Sequence, residues 1–359
     1  MRVHPHPHRL ALPALAAVLA VAACTPAPAP PPGPPPAAAA PPATQVREQD
    51  VREQLQALAA DSMEGRGTGT PGGIRAAAYL ARRLDELGAQ PAGDMGFLQI
   101  VPVAADPVGG RLRLMPSLDE LAELPAGHRR ESFNVIGMIP GSDPVLRHEA
   151  VIVGAHYDHV GIGRAVEGDS IYNGADDDGS GSVAVLEVAR ALARGPAPRR
   201  TVILFLATGE EVGMLGTRWY LQHPAVPLDS TVAGLFIEMI GRPDSLAGGP
   251  GRAWLTGFER STVGQILARA GVPVVRDPRP AQNFFERSDN TPFARLGVPA
   301  HALSSFGLHT DYHRPSDEVE RIDFGHMTRV VQAAVDAARA LADGPRPQWA
   351  PGGRPAPAP

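Results

Sequence analysis

Five apolar segments of strand length alternate with helical segments through most of the chain. The apolar segments are NVIGMIP, AVIVGAH, TVILFLAT, AGLFIEM and VPAHALS. Between or after them, SVAVLEVARALARG, STVGQILARAG and DFGHMTRVVQAAVDAARALAD place apolar residues at helical spacing. Nearly continuous apolar strands separated by helices indicate a sheet that is buried on both faces. We therefore predict an α/β fold with a single-domain mixed, mainly parallel β-sheet flanked by helices on both faces.

The boundaries of this domain follow from changes in composition. No internal repeat and no second linker interrupts residues 45–343, which we predict to be the catalytic domain. Residues 24–44 are almost wholly Pro and Ala, a composition that favours extended chains and cannot build a core, so we predict a tether there. Residues 344–359 have a similar composition, and we predict that they form a disordered tail.

Residues 1–23 have the features of an export signal. Arg2 and Arg9 precede an apolar run that is too short to span a bilayer and ends in small residues. The sequence VAAC resembles the lipobox of bacterial lipoproteins, in which the Cys becomes the lipidated first residue. We therefore expect a lipid anchor on Cys24 that holds the domain at the cell envelope, on the periplasmic side of the outer membrane or elsewhere outside the cytoplasm. An ordinary cleaved signal that contains a Cys is the alternative.

The charge and composition exclude several classes of function. The net charge of −5 disfavours a nucleic-acid partner, which normally requires a basic face. The chain has no Lys, so chemistries that need a Schiff-base or P-loop lysine are excluded. No Ser lies in a G-x-S-x-G motif, and the only Cys precedes the domain. The glycine-rich GTGTPG at 67–72 follows a helix and not a strand, so we interpret it as a surface loop and not as a dinucleotide site.

Polar residues suited to metal binding stand where apolar segments end. His156 ends AVIVGAH, and Asp158 is placed to hydrogen bond the far imidazole nitrogen and fix its tautomer. Glu210 and Glu211 form an adjacent carboxylate pair after TVILFLAT, and Glu238 lies inside an apolar run. Carboxylates in such positions are costly unless a cation or a proton compensates their charge.

Two further segments contribute potential ligands. ADDDGSG places three consecutive aspartates before an apolar helix, and its spacing does not match a calcium-binding loop. HTDYHRPSDE contains His309 and His313. Two histidines and three or four carboxylates near strand ends are typical of the ligands of a binuclear zinc site.

These motifs in their order resemble a known family. AHYDH, DDGSG, GEEVG, MIGR and DYHRPSDE are similar to segments of the zinc aminopeptidases and related carboxypeptidases of metallopeptidase family twenty-eight. LAADSMEGRGTGTPGG and RAAAYLARRLDELG resemble the N-terminal helices of that family, so the likeness covers residues 45–343. The resemblance implies the zinc exopeptidase fold, a mixed sheet flanked by helices. It also implies two zinc ions that share one bridging aspartate and one water.

The resemblance assigns metal ligands and a support to particular residues. It implies that His156 binds the first zinc and that Asp158 orients its ring. It places the bridging aspartate at Asp177, and the remaining ligands of the second zinc at Glu211 and His313.

The resemblance also assigns the residues that act on the substrate. It implies that Glu210 is the general base and that Tyr312 helps to polarise the scissile carbonyl. Glu238 occupies the position of a first-zinc ligand that is usually Asp, so the chain departs from the family pattern there. Relatives often have a cis peptide after the bridging aspartate, which predicts a cis bond between Asp177 and Asp178. Asp289 and the loop 241–251 are expected pocket walls.

These inferences predict a zinc-dependent aminopeptidase. It would hydrolyse the N-terminal peptide bond of peptides with a water activated by two metals and Glu210 as general base. A carboxypeptidase or an aminoacyl cyclase of the same fold remains an alternative enzyme. A non-catalytic binding ectodomain is the alternative from another class.

Overall fold

The apolar segments of the sequence form neighbouring strands of one mixed sheet. The computed structural model describes residues 1–4 and 44–357. The predicted export signal and tether therefore lie outside the described residues, apart from residues 1–4 and Thr44, and they stay predictions. In the described part of the chain, no helix combines the length and the apolar composition needed to cross a membrane.

The strands and helices are numbered in chain order. The strands are β1 (Gln90–Pro91), β2 (Leu98–Ile100), β3 (Val103–Ala105), β4 (Leu112–Leu114), β5 (Arg129–Arg130), β6 (Phe133–Ile139), β7 (Ala150–His156), β8 (Gly161–Val166), β9 (Asp169–Tyr172), β10 (Thr201–Ala207), β11 (Thr231–Glu238), β12 (Ala253–Leu255), β13 (Val274–Arg276) and β14 (Ala300–Ser304). The helices are α1 (Glu48–Leu58), α2 (Pro71–Leu87), α3 (Leu118–Glu123), α4 (Gly181–Arg194), α5 (Leu215–Gln222), α6 (Val263–Arg269), α7 (Asn290–Leu296) and α8 (Phe324–Asp343).

The centre of the main sheet is parallel and its margins are antiparallel. The strand order is β1-β6-β10-β7-β11-β14-β12-β13, with β2 also paired to β6. The four strands β10, β7, β11 and β14 are parallel neighbours. Strand β6 runs antiparallel to β10, and β12 runs antiparallel to β14. The carboxyl ends of the four central strands therefore meet at one edge of the sheet.

Alternate residues of the central strands face two different apolar layers. Val151 and Val153 of β7 pack in a cluster with residues of α1, α2, α4, α6 and α8. Ile152 of β7 and Phe205 of β10 face the other side, where they pack with Phe293 of α7. This arrangement confirms the predicted mixed sheet with helices on both faces.

The predicted surface loop at 67–72 is instead packed against the domain. Gly67 and Thr68 are buried, and the Thr68 hydroxyl donates a hydrogen bond to Asp158 Oδ2 at 2.9 Å. Just before them, Gly65 has a φ of +63°, and a Cβ on it would lie 2.4 Å from the carbonyl oxygen of Tyr172. Because only glycine permits this backbone approach, the glycines serve close packing. The interpretation of 67–72 as a surface loop is therefore correct only in part, because Gly69 and Thr70 are partly exposed whereas Gly67 and Thr68 are buried.

The predicted disordered tail also packs on the domain over its described part. The Trp349 indole Nε1 donates to the carbonyl oxygen of Gly297 at 2.8 Å, and its ring centroid lies 5.9 Å from that of His301. Arg346 forms an ion pair with Glu149. Pro-rich composition indicated that the segment builds no core of its own, but it did not reveal a docking surface supplied by the domain.

We predict that Trp349→Ala lowers the free energy of unfolding by about 2 kcal/mol, because it removes a half-buried indole and one hydrogen bond. Urea denaturation of the purified protein measures the change. Gln348→Ala is the matched control, because Gln348 is an exposed neighbour. Equal midpoints for the two variants would show that the tail does not contribute through Trp349.

Candidate metal centre

The carboxyl edge of the central strands brings the predicted ligands together. His156 is the last residue of β7 and Glu238 the last of β11. Glu210 and Glu211 follow the end of β10, and Asp177 lies in the wide turn that precedes α4. In a parallel sheet these positions face one crevice, which explains how residues far apart in sequence converge.

The carboxylate of Asp177 lies between two histidines. Its Oδ1 is 3.4 Å from His156 Nε2, and its Oδ2 is 3.1 Å from His313 Nε2. Glu238 Oε2 is 3.6 Å from the same His156 nitrogen, and Glu211 Oε2 is 3.1 Å from the same His313 nitrogen. The structure thus brings the predicted ligands together, with the Asp177 carboxylate facing both histidines. Two donor groups have ligand atoms close enough to hold a metal ion, and they also include two residues that were not predicted as ligands, His159 and Asp178: one group is His156, Asp178 and Glu238, and the other is His159, Asp177, Glu211 and His313.

These donor groups fit divalent zinc. Oxygen and nitrogen ligands at about 2.0–2.2 Å from one tetrahedral ion lie roughly 3.3–3.6 Å from each other, close to the separations observed. Burial raises the pKa of the Glu210 carboxyl well above its ordinary value, and the charge of Glu238 adds to the rise. Burial likewise raises the pKa of Asp289 to about 7. Because burial disfavours the ionised form of these carboxyls, cations bound beside them would stabilise their negative charge.

Glu238 reaches the first donor group despite its extra methylene. While its Oε2 faces His156, its Oε1 accepts a hydrogen bond from the Ser288 hydroxyl. Ser288 therefore fixes this longer side chain at the position where the resemblance led us to expect Asp.

Asp158 supports the site in a different way from the one predicted. His156 Nδ1 lies 2.9 Å from the backbone carbonyl oxygen of Asp158, which fixes the tautomer with Nε2 free for a metal. The nearest Asp158 carboxylate oxygen is 3.8 Å from that nitrogen. The carboxylate instead accepts from the Glu210 backbone N–H at 3.1 Å and from Thr68. It therefore positions the loop of Glu210, and the predicted carboxylate bond to the ring was wrong.

The neighbours of Asp177 hold its turn in place. Asp176 Oδ1 accepts from the Gly241 N–H at 2.6 Å, and Asp178 Oδ1 accepts from the Met239 N–H at 3.1 Å. The peptide bond between Asp177 and Asp178 is cis, as predicted. Two of the three aspartates thus connect the turn to the segment that follows β11, and the third faces the histidines.

The segment of His313 is attached to the same turn by residues that the sequence analysis did not assign. Asp317 Oδ2 accepts from the backbone N–H groups of Asp176 and Asp177 at 3.1 and 3.0 Å. His309 Nε2 lies 2.9 Å from Asp176 Oδ2, so His309 is a support and not part of either donor group. Both residues belong to the HTDYHRPSDE motif, which was a signal that could have found them.

His159 of the AHYDH motif is a further residue that was not predicted as part of the site. Its buried Nδ1 lies 2.8 Å from Glu211 Oε1 and 3.9 Å from Asp177 Oδ2. The shorter distance is that of a hydrogen bond, so His159 holds one Glu211 oxygen while the other faces His313.

Arg66 places a positive charge directly under the site. Its side chain is fully buried, and its guanidinium donates to the carbonyl oxygens of Tyr157 at 2.6 Å, Asn173 at 2.5 Å and Gly174 at 2.8 Å. It therefore connects the segment after His156 to the turn of Asp177. Nothing in the flanking MEG-R-GTG sequence signals that this arginine is buried.

An apolar pocket opens beside the donor groups. We call it the aromatic pocket, and its volume is about 70 Å³. Its apolar lining is Met239, Trp254, Phe284, Ala302, Phe306 and the ring of Tyr312. Glu210, Glu238 and Arg287 also line it, whereas Asp289 and the loop 241–251, which were expected as walls, do not. The Tyr312 ring stacks on His313 with centroids 3.8 Å apart, which places it at the border between pocket and ligands.

The sequence matches a family model and several named proteins. Residues 134–338 match the model of Peptidase family M28. Leupeptin-inactivating enzyme 1 of Streptomyces exfoliatus is 30% identical over 179 residues, covering 48% of this chain and 36% of that protein. A vacuolar membrane protease of Aspergillus clavatus is 31% identical over 206 residues, covering 54% of this chain and 19% of that protein. The chain thus spans a minor part of these relatives' lengths.

Solved structures share the fold. An aminopeptidase from Aneurinibacillus sp. strain AM-1 superposes with a TM-score of 0.59 at 16% identity, covering 84% of this chain and 95% of the other. A zinc aminopeptidase from Bacillus subtilis gives a TM-score of 0.59 at 15% identity, covering 84% and 96%. At these identities the likeness establishes a common architecture.

We predict that Arg66→Met lowers the free energy of unfolding by about 3–5 kcal/mol, because several buried carbonyls lose their donor and the nearby carboxylates lose their cation. Thermal and urea unfolding measure the loss. Arg75→Met is the control, since Arg75 is exposed and pairs with Glu64 at the surface, and it should cost less than about 1 kcal/mol. Similar losses in both variants would contradict the role assigned to Arg66.

Proposed function

The chain belongs to Peptidase family M28, and from this premise we propose that it is a zinc-dependent exopeptidase that removes N-terminal residues from peptides. The observation that carries the proposal is the position of the Asp177 carboxylate, with one oxygen facing His156 and the other facing His313. A carboxylate shared in this way supports two metal ions with Asp177 between them.

Each proposed ion has its own remaining ligands. His156 and Glu238 would hold the first zinc, and Glu211 and His313 the second. Bound zinc would supply Lewis acidity, which lowers the pKa of a water molecule and polarises the substrate carbonyl. His159 and Ser288 each hydrogen bond one oxygen of Glu211 and of Glu238, respectively, while the other oxygen of each carboxylate faces a histidine.

Glu210 and Tyr312 carry the proton transfers and the polarisation in this proposal. Glu210 accepts a proton from the attacking water as its oxygen bonds to the carbonyl carbon. The same carboxyl then gives that proton to the amine nitrogen as the C–N bond breaks. Burial raises the pKa of the Tyr312 hydroxyl, so it stays protonated and can donate a hydrogen bond to the carbonyl oxygen.

The names of the structural relatives support an aminopeptidase over a carboxypeptidase, since both solved structures described above are aminopeptidases. The pocket itself has charges of both signs: Glu210 and Glu238 complement an α-ammonium group, and the Arg287 guanidinium complements a carboxylate. The aromatic and aliphatic lining complements an apolar first side chain. A peptide with a blocked N-terminus has no α-ammonium group, so hydrolysis by an aminopeptidase should require a free N-terminus.

We propose that the enzyme acts at the cell envelope, anchored by a lipid on Cys24. The support for this proposal is the VAAC sequence at the end of an apolar run, followed by the Pro/Ala-rich residues 24–44. The proposed substrates are therefore peptides outside the cytoplasm.

Glu210→Gln should reduce the kcat for leucine p-nitroanilide by at least about 10²-fold while leaving about two zinc ions per chain, because it removes the base without removing a ligand. The adjacent Glu211→Gln should lose zinc as well as activity. Emission spectrometry of dialysed protein measures the metal, and steady-state kinetics measure turnover.

Several outcomes of this experiment would contradict the proposal. Full turnover by Glu210→Gln would show that Glu210 is not the general base. One zinc per wild-type chain would favour a cyclase-like site. Faster hydrolysis of N-blocked than of free dipeptides would favour a carboxypeptidase. A wild-type protein with zinc and no hydrolysis would favour a binding ectodomain.

Cys24→Ser should release the protein from membranes, because Cys24 is the single cysteine of the sequence and the proposed lipid is attached to it. The measurement is fractionation of bacterial cells that express the full chain, together with incorporation of labelled palmitate. Activity on the anilide serves as the control and should be equal for both proteins. Palmitate labelling of the Ser variant would contradict anchoring through Cys24.

A further inference from the structure

A second depression lies beside the donor groups, outside the aromatic pocket. We call it the outer cleft, and its volume is about 430 Å³. Its lining includes the loop Gly67–Thr70, Val160, Val212, His313 and Arg130. Glu211 lines both the outer cleft and the aromatic pocket. A peptide that crosses the candidate metal centre can therefore occupy both depressions.

We propose that the outer cleft binds the departing part of the peptide and that Arg130 recognises its C-terminal carboxylate. The preferred substrates are then short peptides with a free C-terminus. This inference rests on the proposed exopeptidase function, to which it adds the substrate class.

The shape of the two depressions sets the direction of the substrate. Thr256, Ala302 and Ser304 line the aromatic pocket and are buried residues on or beside the main sheet, so the sheet forms its floor. At about 70 Å³ this pocket is the smaller of the two depressions, and its size suits a single side chain. The outer cleft, at about 430 Å³, is large enough for the rest of a short peptide, and Glu211 lines both.

The cleft offers apolar contacts beside the centre. Val160 and Val212 line it, and each is 40% exposed. Exposure of valine side chains to water is unfavourable. A substrate side chain that covers these two valines would therefore gain free energy from the burial of their apolar surface. These contacts suit the residue that follows the scissile bond.

Arg130 supplies a cation without a carboxylate partner. Its Nη1 donates to the carbonyl oxygens of Gly127 and Arg129, each at 2.9 Å. Over residues 44–357, no carboxylate forms an ion pair with it. Its side chain lies against Gly69, where a Cβ would approach Arg130 Cβ to 2.7 Å. The guanidinium therefore has N–H groups free for a carboxylate, which it can bind with two parallel hydrogen bonds.

The test compares Arg130→Gln with Arg129→Gln. Arg129 is adjacent on β5 and exposed, and its guanidinium donates to the Leu124 carbonyl oxygen outside the cleft. The probes are leucyl-alanine and leucyl-alanyl-alanine as free acids, the same peptides as C-terminal amides, and leucine p-nitroanilide. For at least one peptide length, the wild type should cleave the acid with a kcat/KM about tenfold above that of the amide.

Arg130→Gln should abolish this preference by raising KM for the acid. Its kinetics with the amides and the anilide should stay within about twofold of wild type, and Arg129→Gln should behave as wild type throughout. Equal rates on acids and amides at both lengths in the wild type would overturn the inference. A loss of activity on all probes in Arg130→Gln would also overturn the inference.

A binding measurement separates this inference from the proposed function. Calorimetry with the Glu210→Gln variant, with and without Arg130→Gln, gives the Kd of each acid and amide in the absence of turnover. Tighter binding of an acid that depends on Arg130 supports the inference even if the anilide assay contradicts the exopeptidase proposal. Equal Kd values for acids and amides overturn it even if the anilide is hydrolysed.

Discussion

The compensation of buried negative charge is the constraint on which the rest of the structure depends. Asp158, Asp176, Asp177, Asp178 and Glu210 lie within one small region, where their desolvation would be prohibitive without partners. Backbone N–H groups donate hydrogen bonds to three of the aspartates, and the buried Arg66 guanidinium supplies a positive charge. The negative charge that these partners do not compensate lies on the carboxylates that face His156 and His313. The site is thus a region of fixed negative charge whose carboxylates can bind cations.

The parallel centre of the sheet explains why these groups converge. Strands β7, β10 and β11 each end at the same edge, so a polar residue at the last position of one strand faces those of its neighbours. The supports come from elsewhere in the chain, namely the loop of Arg66 and Thr68 and the segment of Asp317. Regular structure therefore positions two of the candidate ligands, His156 and Glu238, at strand ends, whereas Asp177 and His313 lie in irregular segments that Asp317 joins to each other.

Much of this arrangement could be predicted from the sequence. The apolar runs and helical spacing revealed the sheet, because burial on both faces leaves a direct compositional signal. Glu238 and the Glu210–Glu211 pair stood out as carboxylates next to apolar strands. The role of the Asp158 carbonyl, the burial of Arg66 and the docking of Trp349 could not be predicted in this way. Each depends on backbone groups that distant segments bring together, and backbone groups leave no mark on the residue pattern.

Helix α4 determines how the site is presented. It begins at Gly181, beside the aspartate turn, and its 14 residues extend about 21 Å to Arg194. Near that far end, Arg190 donates to the carbonyl oxygen of Gln45, and a Cβ on Gly195 would lie 2.7 Å from Thr44. Thr44 and Gln45, the first residues of the described domain, therefore lie at the end of α4 that is opposite to the aspartate turn. A change at this end of the domain would have to act along the length of α4 to reach the crevice.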